Sequence, residues 1–249
     1  MKVCVIGLGY IGFPTACLMA SAGHQVVGVD IREALIERLR NGQVHITEEQ
    51  GLEEMALSVL RSGALQVSTT PVAADAFIIC VPTPVTKTSD VVNSVVPLSS
   101  IEAATELAEV AAGSELENLK ADATLAATKL PTADLSYVES AVKSIGPVVR
   151  RGNLVVVEST VPPGTTENLV LPILERYGWT REDILLAHAP ERVLPGAILR
   201  ELVENDRVIG GLTPEAAKAA KELYATFVKG EIFTTDATTA EFVKLIENT

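Results

Sequence analysis

Gly7, Gly9 and Gly12 stand between an apolar run, Lys2–Ile6, and a stretch of small residues opening at Pro14. Glycines at that spacing can cradle a dinucleotide. Gly7 lets a strand turn sharply, Gly9 lets the backbone approach a pyrophosphate, and Gly12 lets the next helix pack close to the sheet. Tyr10 and Ile11 complete the turn and are expected on the same phosphate-facing bend. The free N–H groups and dipole at a helix start favour the diphosphate. Asp30, 18 residues after Gly12, closes a second apolar run (25–30, QVVGVD) and is placed to accept both hydroxyls of a ribose. An acid there repels a 2′-phosphate, so the order strand, triplet, helix, strand, acid predicts NAD rather than NADP. The plain alternative is an ordinary βαβ unit that binds no nucleotide.

Other reactive side chains fall where strands are expected to end. Thr83, Thr160 and Glu191 each follow one, so all three are predicted on the carboxyl-end rim where open α/β sheets bind ligands. Thr83 and Thr160 offer hydroxyls to a nicotinamide ribose or amide, or merely terminate strands. Glu191, between Pro190 and Arg192, sets a carboxylate and a guanidinium beside the expected reacting centre. Alternatively it is a solvated pair worth under about 1 kcal/mol. His188 reads first as a strand-end residue and second as a base, because its ordinary pKa is near neutral. Lys244 and Asn248, four apart, share a helix face, with Glu241 one turn earlier. Taken alone, they read as an exposed face.

These residues must be positioned by alternating strands and helices, the pattern of a doubly wound, mostly parallel α/β sheet. Strands are expected at residues 2–6, 25–30, 65–68, 76–81, 154–158, 184–188 and 207–209, with an edge strand at 231–233. Helices are expected at 14–22, 32–40, 52–61, 135–145, 165–177 and 214–224. A last helix, capped by Thr235-Asp236, still runs at Thr249. In 165–177, Thr165 or Thr166 is the expected cap after the rigid Pro162-Pro163-Gly164 turn. Residues 1–235 then form one Rossmann-like domain with a helical or flexible insertion at about 90–130, and 236–249 begin a connecting helix.

The composition supports that architecture. Apolar residues make up 47% of 249 and aromatics only 4%, so the core is built from Val, Leu, Ile and Ala. A net charge of −12 argues against nucleic acid and anionic membrane as partners. No stretch has the length of a membrane span and no signal peptide precedes the first strand, so a cytoplasmic location is expected. Cys4, Cys17 and Cys80 lie in apolar runs without metal-ligand spacing and read as reduced core cysteines. No metal site is predicted.

Six segments together carry a resemblance. They are Gly7-x-Gly9-x-x-Gly12-x-Pro14, Val81-Pro82-Thr83-Pro84, Asp134-Leu135-Ser136-Tyr137-Val138, residues 158–166 (ESTVPPGTT), Ala189-Pro190-Glu191-Arg192, and residues 240–248 (AEFVKLIEN). Over residues 1–85 and 132–249 the chain resembles the nucleotide-sugar dehydrogenases, the UDP-glucose/GDP-mannose dehydrogenase family. Residues 189–196 look most like the branch acting on UDP-N-acetylmannosamine. The resemblance implies an NAD-dependent, two-step oxidation of a sugar's primary alcohol to a carboxylate. It assigns Glu191 to catalysis through an ordered water, Arg192 to the sugar nucleotide, and Thr160 to the catalytic rim. Lys244 and Asn248 would stabilise the developing oxyanion and contact the UDP-sugar. The family's cysteine nucleophile and UDP-binding region match no part of these 249 residues. The expectation is therefore an amino-terminal portion that binds NAD without completing the oxidation, from a family that is homodimeric at full length. The alternatives are a β-hydroxyacid-type NAD dehydrogenase and a non-catalytic NAD-binding module.

Overall fold

The apolar runs pair into one sheet because each is long enough for a strand and apolar on both sides. A computed structural model describes residues 1–85 and 132–247. In chain order the elements are β1 (Lys2–Ile6), α1 (Gly12–Ser21), β2 (Gln25–Val29), α2 (Glu33–Arg40), α3 (Leu52–Ser62), β3 (Leu65–Ser68) and β4 (Ala76–Ile79). They continue with α4 (Ser136–Ile145), β5 (Leu154–Val157), a π-helical turn (Thr166–Val170) leading into α5 (Leu171–Glu175), β6 (Leu185–His188) and α6 (Ile198–Glu204). The last are β7 (Arg207–Gly211), α7 (Pro214–Tyr224), β8 (Ile232–Asp236) and α8 (Ala237–Glu247). The expected insertion at 90–130 lies outside the described residues.

The sheet order is β3-β2-β1-β4-β5-β6-β7-β8, parallel throughout except where β7 runs antiparallel to β6. The strand order reverses between β1 and β4, which opens a crevice at their carboxyl ends. Alternate residues of each strand enter different cores. Val3 and Val5 pack with α1, α3, α6 and α7, whereas Cys4 and Ile6 pack with α4 and α5. Both faces are covered, which is why these strands show no polar alternation. Cys4 and Cys17 are buried, with thiol pKa values raised by burial, in Cys17 to about 12.

The structure differs from the sequence reading at α6 (Ile198–Glu204), where no helix is expected, and in three further elements. The helix expected at 165–177 opens instead as a π-turn, closed by the Leu171 N–H to the Thr166 carbonyl. Pro172, which has no N–H to offer the preceding turn, sits in the first turn of the short α5 that follows. The last strand runs to Asp236 rather than 233 and still caps α8, its carboxylate accepting from the Thr239 N–H at 2.9 Å. β7 extends to Gly211, pairing Gly210 with Thr235 and Gly211 with Asp236 of β8, and a Cβ on either glycine would clash with neighbouring backbone.

Contacts divide the chain into Met1–Thr83 with Leu135–Thr249, and a second unit, Pro84–Asp134. Among the described residues of the second unit, Val85 and Ala133 form an antiparallel bridge. No helix among the described residues is long and apolar enough to cross a membrane.

Candidate active site

Gly7 turns the chain out of β1 at φ +94°, and a Cβ there would lie 2.6 Å from the Cys80 carbonyl oxygen. A Cβ on Gly12 would lie 2.0 Å from the Gly7 carbonyl oxygen, so α1 starts this close to the turn only because residue 12 has none. A Cβ on Gly9 meets nothing within 4 Å, which marks the open side of the bend. No side chain caps α1, so the positive end of its dipole is left to that space, although the Phe13 N–H is already taken by the Gly9 carbonyl at 3.1 Å. The bend fits a diphosphate. Ile11 is half-buried, and Tyr10 is exposed, its hydroxyl donating to Glu49 Oε1 at 3.2 Å. The buried Glu49 also accepts from the Gly196 and Ile198 N–H groups, tying the glycine bend to the loop after Glu191.

Asp30 lies at the end of β2, 8% exposed, with its carboxylate beneath the bend. It accepts the Leu8 N–H at 3.1 Å, the Arg32 N–H at 3.0 Å, and Arg32 Nε and Nη2 at 2.9 Å each. Burial alone would raise its pKa, but these hydrogen bonds outweigh burial and hold it below the usual carboxylate range. His45 Nε2 donates to the Leu8 carbonyl at 2.9 Å and its ring packs on Phe13, bracing the bend from behind.

Thr83 and Thr160 are brought together across the ends of β4 and β5. The Thr83 hydroxyl donates to the Thr160 carbonyl at 2.6 Å. Ser159 Oγ donates to the Val81 carbonyl at 2.7 Å, so two hydrogen bonds lace this rim. Beneath it lies a buried polar cluster. Arg207 and Glu158, with side chains 4% and 0% exposed, pair at 3.0 Å, and the Arg207 guanidinium lies 4.7 Å from the centre of the buried Tyr224 ring. Cys80 Sγ donates to Glu158 at 2.8 Å, and burial first, then the Glu158 charge, pushes its thiol pKa well up. The thiol is held protonated.

Lys244 is not on an exposed face. Its side chain is 6% exposed, its ammonium lies 3.6 Å from Glu191 Oε2, and it donates to the Glu191 carbonyl. Burial raises the Glu191 pKa, Lys244 opposes the rise, and Glu158 adds to it. A carboxylate with a raised pKa beside a cation in a nearly closed site is suited to proton transfer or to holding a water. Asn248 lies outside the described residues. Arg192 is exposed and pairs with Glu247 at 3.7 Å, and both line a cleft of about 800 Å³ with Asn205 and Lys244.

The threonine cap expected at the helix after β5 is replaced by a carboxylate from another element. Thr165 turns its hydroxyl back to the Pro162 carbonyl, and neither Thr165 nor Thr166 caps. Glu241 of α8, fully buried, accepts the N–H groups of Gly164 and Thr166 and the Thr166 hydroxyl. Burial raises its pKa and these donors oppose the rise. His188 is fully buried, and neither ring nitrogen completes a hydrogen bond. Burial takes its pKa down to about 3, opposed by the nearby Val157 backbone and aided by the Lys244 charge. Wholly buried and uncharged at the end of β6, His188 stands where the strand-end reading expects it.

Sequence reasoning assigned no role to Arg32, Glu49, Arg207 or Glu241. Glu241 and Lys244 share a helix face, and that spacing was the one signal available. The side-chain hydrogen-bond partners of Glu49 and Arg207 lie 39 or more positions away. Among the described residues no group of three His, Cys, Asp or Glu side chains is arranged to hold a metal.

The model of the UDP-glucose/GDP-mannose dehydrogenase family NAD binding domain matches residues 1–116 and 89–228. A UDP-N-acetyl-D-mannosamine dehydrogenase of Methanococcus maripaludis is 45% identical over 248 residues, covering 100% of this chain and 47% of its own length. An NDP-N-acetyl-D-galactosaminuronic acid dehydrogenase of Ralstonia nicotianae is 41% identical over 255 residues, covering 99% and 50%. The solved UDP-N-acetyl-mannosamine dehydrogenase Cap5O of Staphylococcus aureus superposes with a TM-score of 0.80 at 43% identity, over 100% of this chain and 50% of that one. The chain thus spans about half the length of the curated relatives it matches.

Proposed function

The chain belongs to the UDP-glucose/GDP-mannose dehydrogenase family, and from that premise we propose that it is the NAD-binding part of a nucleotide-sugar 6-dehydrogenase of the UDP-N-acetylmannosamine type. The observation that carries the reading is the pairing of two sites on one rim. An open, uncapped glycine bend lies at the β1–β4 crevice, and a nearly closed Glu191–Lys244 pair lies beyond the end of β6.

Bound NAD would supply a hydride acceptor. Gly7, Gly9, Tyr10, Ile11 and Gly12 would hold its diphosphate and Asp30 its adenosine ribose, with Thr83 and Thr160 towards the nicotinamide end. The UDP-sugar would lie in the cleft beside Arg192, with its alcohol towards Lys244. There the ammonium stabilises negative charge developing on the sugar oxygen, in a site dry enough for that charge to count. Glu191 holds the water or proton that the oxidation requires, and Asn248, four residues after Lys244 in the sequence, is assigned with it to the sugar oxygen. We read residues 1–235 as the cofactor domain, 236–249 as the start of a connecting helix, and the protein as cytoplasmic, with homodimerisation belonging to the full-length form.

Calorimetric titration with NAD tests the reading. Micromolar binding is expected, weakened modestly by Asp30→Ala, whereas no heat with NAD would refute it. NADH absorbance in the presence of UDP-N-acetylmannosamine tests the substrate, and reduction with a small 3-hydroxy acid alone would redirect it.

A further inference from the structure

Asp30 is the residue from which selectivity for NAD is read, yet its carboxylate is already full. Each oxygen takes one backbone N–H and one guanidinium N–H, from Leu8 and Arg32. A carboxylate has about four acceptor positions, so none is left for the two hydroxyls of a ribose. The backbone donors are fixed by the glycine bend and by the approach to α2. The guanidinium is not, because the Arg32 side chain is 59% exposed and precedes α2 without capping it. It is the one donor that can leave.

Resting on the NAD-binding reading above, we propose that Arg32 is a specificity-determining residue that sets how strongly this domain prefers NAD over NADP. It does so by competing with the ribose hydroxyls for Asp30 and by offering its charge to a 2′-phosphate. An unmodified ribose exchanges two guanidinium hydrogen bonds for two hydroxyl ones, a nearly even trade that makes NAD binding weaker than a bare aspartate would allow. A phosphorylated 2′ position cannot donate to Asp30, but it meets the released guanidinium, whose planar fork suits phosphate oxygens. The paired side chains are together neutral, so the repulsion expected of Asp30 alone is largely cancelled. Both effects narrow the preference for NAD. A contact between Arg32 and adenine would shift both dinucleotides alike and drop out of their ratio.

The test is titration of the wild-type chain, Arg32→Ala and Arg32→Lys with NAD and with NADP, by calorimetry. The ratio of the NADP to the NAD dissociation constant is expected to rise about tenfold in Arg32→Ala. It should rise less in Arg32→Lys, which keeps the charge without the fork. The lysine variant also keeps the comparison should alanine disturb the start of α2. A ratio that stays constant or falls in Arg32→Ala overturns the proposal. So does a wild type that binds NAD with no measurable affinity for NADP, because the guanidinium then fails to offset the acid. A wild type that binds neither dinucleotide removes the NAD-binding reading itself, and this proposal with it.

Discussion

Acidification should destabilise this fold through His188, and the size of the effect follows from its burial. Its side chain is wholly enclosed at the end of β6, near the Lys244 charge, and its pKa is lowered from 6.5 to about 3. In the unfolded chain the imidazole takes up a proton near its ordinary pKa of about 6.5. Between these values the unfolded state binds more protons than the native one, so stability rises with pH across that window and is lost as pH falls through it. From pH 7 to pH 4 the loss comes to roughly 3 kcal/mol, a large share of the 5–15 kcal/mol typical of a folded domain. Urea unfolding of the wild type and of His188→Asn at both pH values isolates it, because carboxylates elsewhere contribute alike to both proteins. The asparagine variant starts less stable at pH 7 but should lose roughly 3 kcal/mol less on acidification. Equal losses in the two proteins would refute the argument.

Gly12→Ala places a methyl 2.0 Å from the Gly7 carbonyl oxygen; it should cost about 1–3 kcal/mol in urea unfolding and weaken NAD binding in calorimetry. Arg207→Met leaves Glu158 buried and unpaired and should cost about 3–5 kcal/mol, whereas adding Glu158→Gln should recover part of the loss in a double-mutant cycle. Glu241→Ala strands three donors around Gly164 and Thr166 and should cost about 2–4 kcal/mol. Glu241→Gln should cost less, since its amide oxygen still accepts, and thermal unfolding of the two variants reads the difference.

The sheet was legible because it is covered on both faces. Runs such as LVVV at Leu154–Val157 have no place except inside a parallel sheet. The glycine bend was legible for the same local reason, each glycine being demanded by a nearby backbone or by open space. What escaped was long-range polar pairing. Lys244 reads as solvent-facing on its own helix, and only the packing of α8 against the sheet buries it beside Glu191. Asp30 was recognised as an acceptor, but its saturation by Arg32 two positions on depends on a rotamer that spacing does not specify. The π-turn before Pro172 likewise reflects how the chain meets a missing N–H, and periodicity carries no mark of it.

Glu241 and Lys244 stand three residues apart on α8, so their anchor points are separated by roughly 4.5 Å along its axis. The first is bolted to the opening of the helix that follows β5, the second to the chain leaving β6. A slide or roll of α8 that carried the ammonium off Glu191 would tear the neighbouring carboxylate from its three donors. The Lys244 ammonium is thereby indexed by a fastening one turn upstream, and its positional tolerance is that of the fastening rather than of a flexible lysine stem.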